Sequence, residues 1–114
     1  MALDFAVRIV ELSKYLQTEK SEYIISKQIL RSGTSIGANI AESQGAQSTA
    51  DFISKLHISY KESRETEYWL LLLQRAKYID EDMGESYIND LSSIKKVLSK
   101  ILKSTKEPEA LRAE

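Results

Sequence analysis

From end to end this chain spaces its apolar residues three and four positions apart, the period of an α-helix, and that feature confines it to helical folds. Phe5, Ile9, Leu12 and Leu16 line one side of a first helix. A short polar stretch at 17–21 follows. Ser21 is the expected cap of a second helix whose first turn holds Glu22, an acid favoured there by the helix dipole. In the second segment Ile25, Ile29, Ser32, Ile36, Ile40 and Ser43 keep phase through Gly33 and Gly37. Each glycine costs about 1 kcal/mol against alanine inside a helix, but a loop would break the phase. One helix, continuous or merely bent, is therefore expected, with the small residues at 32, 33 and 37 letting a neighbouring backbone come close.

The polar run 44–47 reads as a turn, and 48–51 supplies capping oxygens with Asp51 as the acid of the next first turn. A third helix is expected to run to about Ile79, which at 1.5 Å per residue makes it about 45 Å long. The acidic stretch 80–84 reads as its end, and Ile88, Leu91, Ile94, Leu98 and Ile101 form the seam of a fourth helix. Beyond Lys106 the pattern stops, so a frayed tail is expected over 107–114. Four such helices joined by short turns bury their apolar faces best as an all-α, up-down-up-down antiparallel four-helix bundle spanning residues 1–106.

Composition agrees with one core in a chain of 114 residues, 42% hydrophobic and 29% charged, with one proline and four glycines. The absence of cysteine excludes disulfides and thiolate metal sites, and the single histidine, His57, excludes the usual multi-histidine zinc sites. No metal or cofactor is expected. Asp4, Arg8 and Glu11 interrupt any signal-peptide core, and the longest apolar window, 68–73, falls far short of the roughly 18 residues of a membrane span. A cytoplasmic protein is expected.

Two helices carry more apolar side chains than one core can use. In the third, Phe52, Leu56, Tyr60, Ser63, Leu70 and Leu71 share one side while Ile58, Trp69, Leu72 and Ala76 lie nearly opposite. In the first, Leu3, Val7 and Val10 form a stripe opposite Phe5, Ile9 and Leu12. These outer stripes predict a homo-oligomer, with Trp69 as its aromatic anchor.

The string Gln28-Ile29-Leu30-Arg31-Ser32-Gly33-Thr34-Ser35-Ile36-Gly37-Ala38-Asn39-Ile40-Ala41-Glu42, with Asp51-Phe52-Ile53-Ser54-Lys55-Leu56 and Glu65-Thr66-Glu67-Tyr68-Trp69-Leu70, resembles the family named after reading frames in intervening sequences of bacterial 23S ribosomal RNA genes. The likeness reaches to about Leu102, and many members carry proline where this chain has Gly37. It implies a cytoplasmic bacterial four-helix bundle, commonly a pentameric ring, and offers no catalytic residues to transfer. A relative within the broader fold is a basic pentamer that binds a reverse transcriptase and nucleic acid.

No residue pattern supports catalysis: His57 has no histidine partner, and no glycine loop of phosphate-binding type occurs. Glu67 falls on the core side of the third helix, where a carboxylate needs a partner; Arg31 or Asn39 would supply one in a buried polar network, and a small ligand pocket is the alternative. In the fourth helix Lys96, Lys100 and Lys103 follow i, i+4, i+7 with Lys95 and Lys106 beside them, and no acid occurs between Leu91 and Lys106. A net charge of −1 gives the molecule no overall positive field, so any contact with RNA must come from this local row. Two functions stand: an adaptor or scaffold holding RNA or a nucleic-acid-handling protein, and a purely structural or protein-interaction ring.

Overall fold

The predicted seams meet in one core. Phe5, Ile9, Leu12 and Leu16, Ile29 and Ile36, Leu56, Leu70 and Leu73, and Leu91, Ile94 and Leu98 are each 2% exposed or less. The computed structural model describes the backbone of residues 1–113 and the side chains of residues 1–105. Its elements are α1 Ala2–Lys20, α2 Ile25–Gln44, α3 Thr49–Arg75 and α4 Glu81–Ala113, with no strand among the described residues. The expected tail over 107–114 lies outside the residues whose side chains are described.

Side-chain pairings set the direction of every helix. Between α1 and α2, Ser13 meets Ser26, Ile9 meets Gly33 and Ala2 meets Gly37. Between α2 and α3, Glu42 pairs with Lys55, the Ile36 carbonyl with Ser59 and Ser32 with Thr66. Between α3 and α4, Glu67 pairs with Lys95 and Gln74 lies against Gly84. In each case one number rises as the other falls, so the helices run up, down, up and down. Helices α1 and α4 close the ring through a thinner contact.

Helix α2 is continuous through both glycines. A Cβ at Gly33 would sit 2.8 Å from both γ-carbons of Ile9, so glycine is required there by the close approach of α1. At Gly37 the nearest atom, Ala2 Cβ, is 3.5 Å away, an ordinary contact. The hydroxyls inside the seams are satisfied. Ser13 Oγ donates to the Ser26 carbonyl at 3.1 Å, Ser59 Oγ to the Ile36 carbonyl at 2.8 Å, and Thr66 Oγ1 to Ser32 Oγ at 2.9 Å.

Three boundaries differ from expectation. Ser21 does not cap α2: its left-handed φ of 52° closes α1, and the Glu22 N–H reaches back to the Leu16 carbonyl at 2.9 Å. Glu22 does the capping. Its Oε2 accepts from the N–H groups of Ile24 and Ile25 at 3.1 and 2.9 Å, and its Oε1 from that of Ser26 at 2.7 Å. Helix α3 ends at Arg75, short of Ile79, because Lys77 turns left-handed at φ 66° and folds Ile79 back into the core. The acidic stretch 80–84 then opens α4 instead of closing α3, with Asp80 Oδ1 accepting from the Met83 N–H at 2.8 Å. Acids belong at that end of a helix, where the dipole is positive. The Ser48 cap of α3 is as expected, accepting from the Asp51 N–H at 3.1 Å.

Candidate functional site

Helix α4 carries two kinds of lysine. Lys95 points toward α3, where its Nζ lies 2.9 Å from Glu67 Oε1. One residue on, the helix turns by about 100°, and Lys96, Lys100 and Lys103 stand exposed in a row along one side. Among the described residues none of these three forms an ion pair. Lys106 lies outside the residues whose side chains are described.

Beside this row runs a groove of about 280 Å³ between α3 and α4, lined by His57, Tyr60, Ser99, Leu102 and Lys103. His57 is exposed and Tyr60 half-buried, its ring packed against the core. Arg64, exposed, is one helical turn beyond Tyr60 on the same side of α3. The groove thus joins Lys103 of one helix to an imidazole and a phenol ring of another, with the Arg64 guanidinium one turn away. Their spacing at 57, 60 and 64 is visible in the sequence, but only the antiparallel register of α3 and α4 brings them to Lys103.

The expected buried network of Arg31, Asn39 and Glu67 does not form. Glu67 points outward to Lys95, since it occupies the α4 flank of α3 and not its buried centre. Arg31 instead binds two carboxylates of α3, Glu62 at 3.2 Å and Glu65. Asn39 Nδ2 donates within its own helix, to the Ser35 carbonyl at 2.8 Å and Ser35 Oγ at 3.0 Å.

The outer stripe of α1 is unpartnered: Leu3 is 76% exposed, Val7 53% and Val10 37%. On α3 the expected stripe divides. Ile58 and Ala76 are exposed, but Trp69 and Leu72 are half-buried, and Trp69 Nε1 donates to Glu65 Oε2 at 2.9 Å. Trp69 therefore braces the carboxylate that holds Arg31, a role inside the α2–α3 seam. Leu71, expected on the core side, is 47% exposed. With Leu70 and Leu73 fully buried, their common direction points Leu71 past the α4 flank.

Two other cavities belong to the ends of the bundle. An open basin of about 660 Å³ is lined by Tyr15, Lys20, Arg75, Lys77, Tyr78 and Glu81 among others, its cations standing at helix C-termini. An apolar cleft of about 220 Å³ opens at the opposite end, where α1 begins, between Ala2, Ile40, Phe52, Leu56, Val97 and Ile101. Among the described residues no cluster of His, Cys, Asp and Glu could hold a metal ion, and no helix is long and apolar enough to cross a membrane. Burial pushes the Tyr87 hydroxyl above its ordinary range, and that hydroxyl donates to the Arg8 carbonyl at 3.0 Å.

Comparison with known proteins gives a family and a fold. The family model for 23S rRNA-intervening sequence protein matches residues 1–100. A solved structure from Bacteroides thetaiotaomicron, described as a protein with unknown function from the S23 ribosomal protein family, shares 59% identity with a TM-score of 0.89. The match covers 90% of this chain and 94% of that one. No curated protein matches.

Proposed function

Because the chain belongs to the 23S rRNA-intervening sequence protein family, we propose that it is a non-enzymatic, cytoplasmic, homo-oligomeric scaffold that binds RNA through the basic face of α4. The observation that carries this reading is the row Lys96, Lys100 and Lys103, exposed and without an ion pair among the described residues, beside a neighbour, Lys95, whose charge is already matched. A line of like charge exposed along a helix suits a line of phosphates, and phosphate contacts position RNA without reading its sequence. Self-assembly is supported by the stripe Leu3, Val7 and Val10, because burying it against another copy removes apolar surface from water. A pentamer is the arrangement that the family resemblance implies. Each added copy repeats the lysine row, so a weak contact per chain gains from the others through effective concentration.

Light scattering on the native protein tests assembly: a mass of several chains is expected, and a single-chain mass at micromolar concentration contradicts it. Binding of generic RNA at low salt, compared between the native protein and a Lys96→Glu, Lys100→Glu, Lys103→Glu variant of unchanged helicity and mass, tests the face. Equal affinities would leave the lysines as a solvated surface.

A further inference from the structure

We propose that the α3–α4 groove selects single-stranded RNA, taking an unpaired base against Tyr60 and His57 while Lys103, Lys96 and Arg64 hold the phosphates on either side. This rests on the RNA-binding reading and narrows its ligand class. A lysine row alone makes no distinction between a duplex and a single strand, since both present phosphates. Two aromatic side chains set in a groove do. In an A-form duplex the bases are stacked and paired, so their faces cannot reach a ring in a protein groove, whereas a single strand can splay one out.

The geometry suits that division of labour. Tyr60 and His57 are three residues apart on α3 and line one cavity of about 280 Å³ with Ser99 and Lys103 of α4. Tyr60 is held by packing against the core, so its ring is pre-positioned and loses little freedom on binding. His57 stands exposed at the outer edge, where a planar ring can cover the other face or flank of an entering base. Ser99 brings a hydroxyl able to donate to or accept from a base edge. The cations lie on both sides of the cavity, Lys103 in its wall and Lys96 and Arg64 one turn or two along the two helices. Among the described residues the acid on this flank, Glu67, is paired with Lys95.

The test compares fluorescence anisotropy of a labelled unstructured RNA and of an RNA duplex of the same length, titrated with the full chain at low salt. The single strand is expected to bind more tightly. Tyr60→Leu, which keeps an apolar body in the groove, is expected to weaken single-strand binding by about 5- to 140-fold, the range of a lost base–aromatic stack. The same change should leave duplex binding as it was, while Lys103→Glu weakens both. If Tyr60→Leu fails to fold, His57→Ala at the exposed edge serves instead, with a smaller loss confined to the single strand. Equal binding of strand and duplex, or indifference of both aromatic variants, overturns the inference and leaves the phosphate reading standing. No binding of either RNA at low salt overturns both.

Discussion

Helices α2 and α4 solve the problem of polar groups in opposite ways. Along α2, Arg31 meets Glu62 and Glu65, Glu42 meets Lys55, and the hydroxyls of Ser26, Ser32 and Ser43 all have partners. Its glycine at 33 admits Ile9 of α1 at a distance no other residue would allow. Along α4, Lys95 is matched by Glu67 and Asp90 by Arg8 at 2.5 Å, while Lys96, Lys100 and Lys103 have no ion-pair partner among the described residues. A helix whose polar groups are spent on its neighbours specifies the fold, and its residues are constrained by packing. A helix that leaves a row of like charges facing water contributes little to stability with that row, and the row is free to change or to meet a partner.

This contrast can be broken most severely at Gly33. Replacing Gly33 with Ala forces Ile9, a β-branched and fully buried side chain, to move, and a loss of about 1–3 kcal/mol is expected in denaturant unfolding. An unchanged midpoint would show that the α1–α2 seam is looser than described. Next comes Glu22→Ala, which strips the three N–H groups at the start of α2 of their acceptor and should cost about 1–2 kcal/mol. Ser21→Ala should cost much less, because that hydroxyl caps nothing.

A smaller effect of opposite sign sharpens the same comparison. Gly37→Ala adds a methyl group at ordinary contact distance and improves helix propensity, so a gain of up to about 1 kcal/mol is expected. The two glycines look alike in the sequence, and thermal melts should move in opposite directions. At the α1–α4 contact, burial raises the Tyr87 hydroxyl, so the neutral form is favoured in the folded state. The stability it contributes is complete below the ordinary tyrosine range and is lost as pH rises through the displaced value. Tyr87→Phe should flatten that alkaline decline in an unfolding series carried above pH 10. The smallest change in stability, within about 0.5 kcal/mol, is expected for the triple Lys→Glu variant of α4, since these charges are exposed and form no ion pair among the described residues.

Much of the fold can be read from periodicity because burial and helical spacing coincide: Phe5 to Leu16, Ile25 to Ser43 and Ile88 to Ile101 all face where their phase puts them. Boundaries are harder. At Ser21 and Lys77 a left-handed residue closes a helix, and neither serine nor lysine advertises that conformation as glycine would. The four leucines 70–73 cover most of the helix circumference, so which of them is buried depends on where α2 and α4 lie. That is why Leu71 turns outward and Trp69 is drawn into the α2 seam beside Glu65. The lysine row is visible in one helix, but its aromatic neighbours are on another, and only the register of the two joins Tyr60 to Lys103.

The exposed lysine row of α4 is proposed to meet phosphate. The salt dependence of RNA affinity tests it most directly, measured on the native protein with single-stranded RNA from low to moderate salt. Three phosphate contacts per chain predict that log affinity falls linearly against log salt with a slope of about −2, steeper if several chains engage one strand, and that the triple Lys→Glu variant loses both affinity and slope. An affinity that does not change with salt, or no binding at the lowest salt, would contradict the account.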